Sequence, residues 1–560
     1  MAGGLLNLIS TSSNNVFLTG NPTKTFFKCA YSKYTNFGLQ KFRLDFDGTR
    51  DIRLTTDSTF TFKIKRYADL LMDTYLVITL PHIYSPIHHP CQENNYQWVP
   101  YEFRWIKNIG IQMIRNIEIK CGSLQIQKFS GEYLAAMIER DFSKEKKDLI
   151  NRMTGNTNDF TNPAVSELRS NTNIYPSCYY TSNPLGAEPS IRGRQLYIPI
   201  NTWFSLDSKC AFPLISLQYN ELEISVTLRP IQELFQVRDV FDHVNNFPYV
   251  QPDFNSERFA MYKFLQSPPS ERITSNVYKT NLQTWNADVH LLATYGFLSN
   301  DESILFAKED QVYLVKDIVQ YKFLNITGSK KVEIPTNSMV SNWMFFFQRN
   351  DVNMRNEWSN YSNFPYFSLP SNLIHAPRDI SPNVNVGVTD LSSILKYGPA
   401  ANPNNTNTGL YITGDFSADN KQEILETMGI VIDGNYRENI MPSGVFNYVE
   451  KCVRTNGGAP DGLYCYNFCL NTSPFVYQPS GAINMSKFKT IELEFTTYVP
   501  PFDLEGSNFE VVCNTTGVPI GISNKPNWKL YNYNFNLTLF EERHNILSFI
   551  NGNAGMMYAK

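Results

Sequence analysis

Apolar and polar residues alternate with a period of two in several short stretches of the chain. The clearest are "KFRLDFDG", "TFTFKIKR" and "ELEISVTLRP". Their apolar positions are Phe42, Leu44, Phe46, Phe60, Phe62, Ile64, Leu222, Ile224, Val226 and Leu228. Because successive side chains of a strand point to opposite faces, this spacing is typical of strands with one buried face. The pattern predicts a chain built mainly from half-buried β-strands.

One stretch, "SGEYLAAMIERDFSKEKKDLINRM", has helical spacing instead. Its apolar residues Tyr133, Leu134, Met137 and Ile138 recur every three or four positions, which predicts a helix with one buried face. Ser130 is a suitable N-cap for this helix. The charged run "KEKKD" within it is interpreted as a solvated helical face. A single helix is therefore expected to interrupt the β pattern.

Two pairs of similar segments indicate a tandem duplication. "YNELEISVTLRP" (219–230) and "KTIELEFTTYVPP" (489–501) both alternate and both end at proline. "NIEIKCGS" (116–123) and "GIVIDGNY" (429–436) both run from a strand pattern into a glycine turn. Internal similarity of this kind is the usual sign of a repeated structural unit. The polar, unperiodic stretch 233–258 is interpreted as the linker between the two copies.

A long segment in the second half, at about 350–428, has no periodic pattern. It is rich in Asn, Pro, Ser and Gly, as in "SPNVNVGVTD" and "GPAANPNNTNTG". A structureless loop of this length is usually functional or exposed rather than a simple connection. The segment is expected to lie on an outer surface.

The composition supports a β-rich chain and argues against a polyanion as partner. Apolar residues make up 42% of the 560 residues and aromatic residues 14%, with 39 Phe and 32 Tyr, which pack well on pleated surfaces. The 49 basic and 52 acidic residues leave a formal net charge of −3. Because a positive field is what holds a polyanion, no direct contact with nucleic acid is expected.

Cysteine usage and the start of the chain predict a soluble protein made in the cytosol. The nine cysteines are scattered, odd in number and few for the length, which is typical of thiols in a reducing compartment. The stretch "MAGGLLNLISTSSNN" lacks the basic region and the long apolar run of a secretion signal. No run of about 18 apolar residues occurs that could span a bilayer.

The sequence offers no convincing phosphate, metal or catalytic site. "LTGNPTKTFF" lacks the second glycine of a phosphate loop, so its Asn21-Pro22 pair is interpreted as a turn leading into the first strand. "LPHIYSPIHHPCQ" contains metal-ligand types, but its prolines predict a polar loop. Those residues are His82, His88, His89 and Cys91. Cys465 and Cys469 fall on one face of a predicted strand and are interpreted as core filler. No catalytic residue, cofactor or metal ligand is assigned.

Asn-X-Ser/Thr sequons for N-glycosylation occur at seven positions. They are Asn325, Asn360, Asn404, Asn471, Asn484, Asn514 and Asn536. In an Asn-rich chain without a signal peptide, chance explains most of them. Asn360 and Asn404 lie in the segment 350–428 that is expected to be exposed, and they are the candidate glycosylation sites.

Several stretches in chain order resemble one protein family over nearly the whole length. In the first half these are "VFLTGNPTKTFFKCAYSKYTNF", "RYADLLMDTYLVITLP", "NIEIKCGSLQIQKFSGEYLAAM", "LYIPINTWF" and "FPLISLQYNELEI". In the second half they are "ATYGFLSNDE", "FAKEDQVYLVKDIVQ" and "DGLYCYNFCLNTSPFVYQPSGAINMSKFKTIELEF". The ending "RHNILSFINGNAGMMYAK" also matches, except that Asn553 and Ala554 stand where a Met-Gly pair is expected. The chain resembles the major capsid proteins of nucleocytoplasmic large DNA viruses, of the mimivirus and algal-virus type.

The resemblance implies an all-β fold, a tandem double jelly roll of two eight-stranded antiparallel β-sandwiches with a few short helices and long loops. The implied divisions are an N-terminal arm (1–27), a first jelly roll (28–232), a linker (233–258), a second jelly roll (259–541) and a C-terminal tail (542–560). "ATYGFLSNDE" is expected to begin the second jelly roll. The insertion at about 350–428 is expected to build an outer tower.

The resemblance also implies a structural, non-enzymatic function. Three chains would form a homotrimer whose jelly rolls make a pseudo-hexameric capsomer, and these capsomers would tile an icosahedral shell. The implied partners are neighbouring capsomers, minor capsid and penton proteins and, through "GGLLNLI" in the arm, the internal viral membrane, with no direct nucleic acid contact. The implied location is the virion, after assembly in the host cytoplasm. Phe26, Phe27 and Tyr31 are expected to anchor the arm by packing.

Two other classes of protein stay open on the residues alone. A jelly-roll carbohydrate-binding or attachment protein would stack sugars on the aromatic residues of "NEWSNYSNFPYF", although packing of this loop on its own domain explains them too. A cupin-like metalloenzyme would need clustered histidines, and no His-X-His pair occurs. Glycan binding by a monomer that never trimerises would favour the first class, and stoichiometric metal would favour the second.

Overall fold

The computed structural model contains two β-sandwiches that follow one another along the chain. The residues it describes are 16–88, 99–165, 175–179, 181, 183–242, 247–268, 284–367, 421–476, 478–501, 510–523, 529–530 and 532–558. Within these ranges, no helix is both long enough and apolar enough to cross a bilayer.

The first sandwich consists of two main antiparallel sheets. The strands up to residue 298 are β1 (Phe37–Asp45), β2 (Ser58–Lys63), β3 (Leu70–Thr79), β4 (Ile87–His88), β5 (Val99–Pro100), β6 (Phe103–Trp105), β7 (Ile114–Cys121), β8 (Leu124–Phe129), β9 (Gln195–Pro199), β10 (Phe212–Pro213), β11 (Leu222–Leu228), β12 (Phe235–Arg238), β13 (Tyr249–Val250) and β14 (His290–Leu298). One sheet has the order β1-β14-β3-β10 with β9 also paired to β3, and the other has the order β2-β11-β7-β8.

The second sandwich has the same two-sheet design. Its strands are β15 (Gln311–Ile326), β16 (Ser329–Glu333), β17 (Met339–Arg349), β18 (Leu425–Ile432), β19 (Asn435–Pro442), β20 (Leu463–Asn467), β21 (Ile483–Asn484), β22 (Ile491–Thr497), β23 (Glu510–Cys513), β24 (Pro519–Ser523), β25 (Phe535–Ile550) and β26 (Asn553–Met556). One sheet has the order β15-β25-β17-β20, with β21 on β17 and β26 on β25, and the other has the order β16-β22-β18-β19.

Strand order shows that the two sandwiches are copies of one unit. β11 lies between β2 and β7 in the first sandwich, and β22 lies between β16 and β18 in the second. Both strands alternate buried and half-buried residues from end to end, because one face of each packs in its sandwich core. β14 and β25 lie in equivalent places beside β1 and β15. The tandem double jelly roll predicted from the sequence is confirmed.

Short helices connect some of the strands. They are α1 (Val16–Thr19), α2 (Ile109–Gln112), α3 (Gly131–Asp141), α4 (Lys144–Thr154), α5 (Asn158–Thr161), α6 (Trp203–Leu206), α7 (Tyr262–Leu265), α8 (Asn300–Lys308) and α9 (Glu450–Arg454). The single helix predicted after Ser130 is two helices, because Phe142 is extended and Ser143 caps a new helix by accepting from the Lys146 N–H. The charged run in α4 is mostly exposed, as predicted.

The boundary between the sandwiches differs from the division drawn at residues 258 and 259. "ATYGF" belongs to β14, and β14 pairs with β1 and β3 of the first sandwich along most of its length. β14 is the strand to which β1 is hydrogen-bonded in this sheet, so the first jelly roll continues to Leu298. The second jelly roll begins with β15 after helix α8.

The stretch interpreted as a linker, 233–258, is part of the first jelly roll. Its described residues contain β12 and β13, which form a three-stranded sheet with β6. Gln236 and Arg238 are buried within it. The Phe-Gln-Val-Arg alternation of β12 is only four residues long, so it did not stand out from the polar residues around it.

The predicted C-terminal tail, 542–560, is also structured in large part. β25 runs on to Ile550, and β26 turns back to pair with it. The strand carries two glutamates at 541 and 542, and both are fully buried in it. The tail therefore completes the sheet of the second jelly roll.

Candidate assembly surfaces

The two jelly rolls are joined by a buried contact, called the junction below. The outer face of the sheet β15-β25-β17-β20 packs against α3, β8 and the Trp203–Phe212 region of the first jelly roll. Ring pairs mark the contact: Trp203 lies 5.4 Å from Tyr313, and Phe212 lies 5.2 Å from Phe549, measured between ring centroids. This sheet is consequently buried on both faces, since its inner face packs in the second core.

An ionic network lies in the centre of the junction, and all of it except the partly exposed Lys316 is buried. Arg140, at the end of α3, donates to Asp141 at 2.6 Å, to Glu542 at 2.8 Å and to Asn342 at 2.7 Å. Lys316 Nζ donates to the other Glu542 oxygen at 2.8 Å. Arg140 and Asp141 are 0% exposed in their side chains. Because buried charges are stable only when paired, both jelly rolls must keep one relative position to satisfy them.

The network also determines the protonation of Glu542. Burial opposes ionisation of its carboxyl group, but the charges of Arg140 and Lys316 and the hydrogen bonds from Lys316 and Asn342 outweigh that effect. Together they hold the pKa of Glu542 well below its usual range. The carboxylate is therefore charged at any pH near neutrality.

A second buried ionic cluster joins the same two units at residues 349–357, after β17. Asp351 accepts from Arg349 at 2.7 Å and from Arg355 at 2.9 Å, and these two hydrogen-bonded guanidinium groups overcome burial and lower the pKa of Asp351 to about 2. Glu357 accepts from Arg104 of the first jelly roll at 3.2 Å. This segment is thus a clasp between the jelly rolls.

The expected exposure of the insertion at about 350–428 is wrong for its first described residues. Residues 368–420 lie outside the described residues, but 351–367 are largely buried instead of exposed. The indole of Trp358 donates to the Glu233 carbonyl, and the Tyr366 hydroxyl donates to the Tyr249 carbonyl. These aromatic residues pack on the first jelly roll, so they are not available to stack on a sugar.

The candidate glycosylation sites fall in the same segment. Asn360 is buried, and its amide nitrogen donates to the Phe364 carbonyl at 2.8 Å while its oxygen accepts from Ser362. Asn404 lies outside the described residues. Glycosylation at these two positions stays a prediction.

The metal-type residues are not brought together in the described part of the chain, where no group of three or more His, Cys, Asp or Glu side chains could hold a metal ion. His82 accepts from the Gly193 N–H, and His89 and Cys91 lie outside the described residues. Cys465 and Cys469 are buried, and burial raises the pKa of the Cys465 thiol to about 11. Both cysteines are buried, but only Cys465 lies on β20, which ends at Asn467, so the prediction that Cys469 shares this strand is wrong.

Two surfaces equivalent to the junction are left uncovered. The outer face of β1 and its neighbours in the first jelly roll corresponds to the sheet face that the junction covers in the second, and Phe37 and Leu39 are more than half exposed on it. The segment 445–454 after β19 corresponds to α3 after β8. It exposes Tyr448, Val449 and Val453. We call these the sheet surface and the helix surface.

The described N-terminal residues, 16–36, form a further exposed apolar region. Phe26, Phe27 and Tyr31 are 88%, 100% and 88% exposed, so the expected packing of the arm on its own sandwich is wrong for this chain alone. The chain bends at Gly20 and Asn21, where Asn21 has a φ of 49°, but the first strand begins only at Phe37, so this bend does not lead directly into it. The stretch 1–44 contains five basic residues and no acidic residue. Residues 1–15, with "GGLLNLI", lie outside the described residues.

Two equivalent β-sandwiches with the same strand order, joined through the junction, define the class: a double jelly-roll protein. A family profile described as "Major capsid protein N-terminus" matches residues 25–266. A second, described as "Large eukaryotic DNA virus major capsid protein", matches residues 302–555. The chain belongs to this family of major capsid proteins of large eukaryotic DNA viruses.

Individual relatives agree with the family. The chain is 24% identical to the "Major capsid protein" of Phaeocystis pouchetii virus over 88% of this chain and 92% of that protein. It is 22% identical to the "Major capsid protein" of Paramecium bursaria Chlorella virus 1 over the full length of both. Among solved structures, the PBCV-1 virus capsid protein has a TM-score of 0.57 and 17% identity, covering 96% of this chain and all of that one. The Faustovirus major capsid protein has a TM-score of 0.55 and 10% identity, covering 98% of each chain.

Proposed function

We propose that this major capsid protein forms homotrimeric, pseudo-hexameric capsomers that tile the icosahedral shell of a large DNA virus. The observation that carries the proposal is the repeated surface pair. Within one chain, the α3 side of the first jelly roll covers the sheet face of the second. The helix surface of the second jelly roll is equivalent to that α3 side, and the sheet surface of the first is equivalent to that sheet face. Both are exposed in the single chain.

An exposed surface pair of this kind favours a closed ring of identical chains. A contact between two different surfaces on each subunit is heterologous, and it closes only when the rotation between subunits completes a circle. If each contact between chains repeats the geometry of the junction, three chains place six similar jelly rolls around one axis. The domain duplication then makes the six positions of a hexagonal tile from three subunits.

The capsomer would also contact neighbouring capsomers and other capsid proteins. Neighbouring capsomers would meet at the outer sides of the ring, and penton and minor capsid proteins would meet at its edges and base. Residues 16–36 project aromatic and lysine side chains such as Phe27 and Lys24, a combination suited to a minor capsid protein or to the internal viral membrane. The protein would act in the virion as a structural, non-enzymatic component, after assembly in the host cytoplasm.

Substitutions on the two surfaces test the trimer. Leu39→Asp on the sheet surface and Val453→Asp on the helix surface each place a charge in the proposed contact, and each is expected to reduce trimer formation at least about tenfold. Light scattering coupled to gel filtration measures the mass. Leu185→Asp, at a residue that is 92% exposed and outside both surfaces, is the matched control and should trimerise normally.

The variants also separate loss of assembly from loss of folding. Leu39 and Val453 are exposed in the single chain, so both variants should keep the wild-type melting temperature as monomers. A wild-type protein that stays monomeric at high concentration, or surface variants that trimerise as well as the control, would refute the arrangement.

A further inference from the structure

A cleft with both polar and apolar walls lies at the junction and plays no part in the assembly surfaces. Its walls come from β8, α3 and residues 201–210 on one side, and from β15, β25 and the loop 471–481 on the other. Its volume is about 110 Å³. A cavity of about 150 Å³ is large enough for benzene, so this cleft has room for a molecule of a few non-hydrogen atoms. Val476 and Pro479 on its loop wall are exposed, which gives solvent access.

Four residues that line this cleft each carry a buried polar atom with no hydrogen-bond partner among the described residues. These atoms are Gln127 Oε1, Asn201 Nδ2, Trp203 Nε1 and His544 Nδ1. The Gln127 side chain is only 5% exposed, and its amide nitrogen donates to the Lys316 carbonyl at 2.7 Å, which fixes where its oxygen lies. Buried polar atoms are nearly always paired in folded proteins. Four orphaned atoms around one cleft therefore indicate a bound polar species.

The four atoms offer both kinds of hydrogen bond. The Asn201 amide and the Trp203 indole present N–H donors, and Gln127 Oε1 is an acceptor. Burial and nearby Lys316 lower the pKa of His544, so its ring is neutral, and the ring also has a hydrogen bond with the Gly481 backbone. That bond uses the other ring nitrogen as the donor, which leaves Nδ1 as an acceptor.

Most charged groups around the cleft neutralise one another, and the remaining one, Asp207, accepts from the Lys209 N–H. Lys316 Nζ donates to Glu542 at 2.8 Å and to the Thr472 carbonyl at 3.4 Å. Arg140 is bound by Asp141 and Glu542. A charged ligand would bring an uncompensated charge into a site closed to most of the solvent. The fitting occupant is neutral.

We propose that this cleft binds a small neutral polyol that bridges the two jelly rolls. A hydroxyl group donates one hydrogen bond and accepts others, so neighbouring hydroxyls can pair with a donor on one wall and an acceptor on the opposite wall. Met137, Leu206 and Leu314 provide apolar wall for the carbon chain. The ligand would tie the first jelly roll, through Gln127, to the second, through His544. The inference does not depend on trimer formation.

Saturation-transfer difference NMR on the full-length protein tests the site. The probes are glycerol and erythritol, with glycerate as the charged control of similar size. Transfer to both polyols and at least about fivefold less to glycerate is expected. Trp203→Phe removes one N–H and keeps an aromatic ring for its contact with Phe212, and it should reduce transfer to the polyols at least about fivefold. Trp105→Phe is the matched control, because its buried indole N–H is also unpaired but lies away from the cleft.

The outcomes decide between a ligand site and a hydrated cleft. Equal transfer in the wild type and both Trp variants, or no transfer at all, overturns the proposal and leaves water as the partner of the four atoms. Equal binding of glycerate overturns the requirement for a neutral ligand. Gln127→Leu provides the same comparison if Trp203→Phe does not fold, and melting temperatures establish which variants are folded.

Discussion

At the residue scale, the junction depends on groups that a sequence does not single out. Arg140 and Glu542 are far apart in the chain and meet at 2.8 Å only because α3 packs on β25. A charged residue in a β-rich sequence ordinarily indicates an exposed position. Buried charge pairs between distant segments cannot be predicted without the fold.

Glu542→Gln tests how much this network contributes to the free energy of unfolding. The change removes the charge that pairs Arg140 and Lys316 and leaves a buried cation short of a partner, so a loss of about 3–5 kcal/mol in the free energy of unfolding is expected. Urea denaturation measures it. The control is Glu139→Gln, which removes a partly exposed pair with Lys147 and should cost no more than about 1 kcal/mol. Equal losses in the two variants would show that burial adds nothing to this pair.

At the element scale, local pattern identified the longer alternating strands and missed a short one. β11 and β22 carry apolar residues at every second position, and both are half-buried strands as predicted. β12 also alternates, with Phe235 and Val237 each followed by a polar residue, but it is only four residues long and all four are buried. The helix predicted after Ser130 broke at Phe142 because a serine cap at 143 competes with its continuation.

The N-cap of α3 has a measurable share in the stability of the junction. The Ser130 hydroxyl accepts from the Tyr133 N–H at 3.3 Å, and α3 lies against the second jelly roll. Ser130→Ala is expected to lower the free energy of unfolding by about 1 kcal/mol. Ser299→Ala is the matched control, since Ser299 occupies the N-cap of α8 without a side-chain hydrogen bond. Urea denaturation of both variants should show the loss in Ser130→Ala alone.

At the scale of the whole molecule, two buried acidic clusters make the contact between the jelly rolls sensitive to acid. The pKa values of Glu542 and Asp351 are both lower in the folded chain than the values of about 4.3 and 3.9 expected when unfolded. A depressed pKa stabilises the fold above the unfolded value and ceases to do so as the pH falls toward the folded value. The melting temperature should therefore fall as the pH decreases from about 5 toward 2.

Removal of one of these carboxylates provides the check on the pH dependence. Asp351→Asn should have a lower melting temperature at pH 7 and a shallower decrease between about pH 5 and 2, because one of the two titrating groups is gone. Calorimetry at each pH gives both quantities. A parallel decrease in the wild type and the variant would assign the acid sensitivity to other groups.

The order of strands within the first sheet has a consequence for synthesis. β1 pairs with β14 and β14 with β3, so the middle of this sheet is supplied by residues 290–298. At about 5–20 residues per second, a ribosome needs on the order of ten seconds or more to reach β14 after β1 has emerged. During that interval β1 has no neighbour and its apolar residues are accessible to chaperones. The nascent first jelly roll closes only when the ribosome has already reached the second.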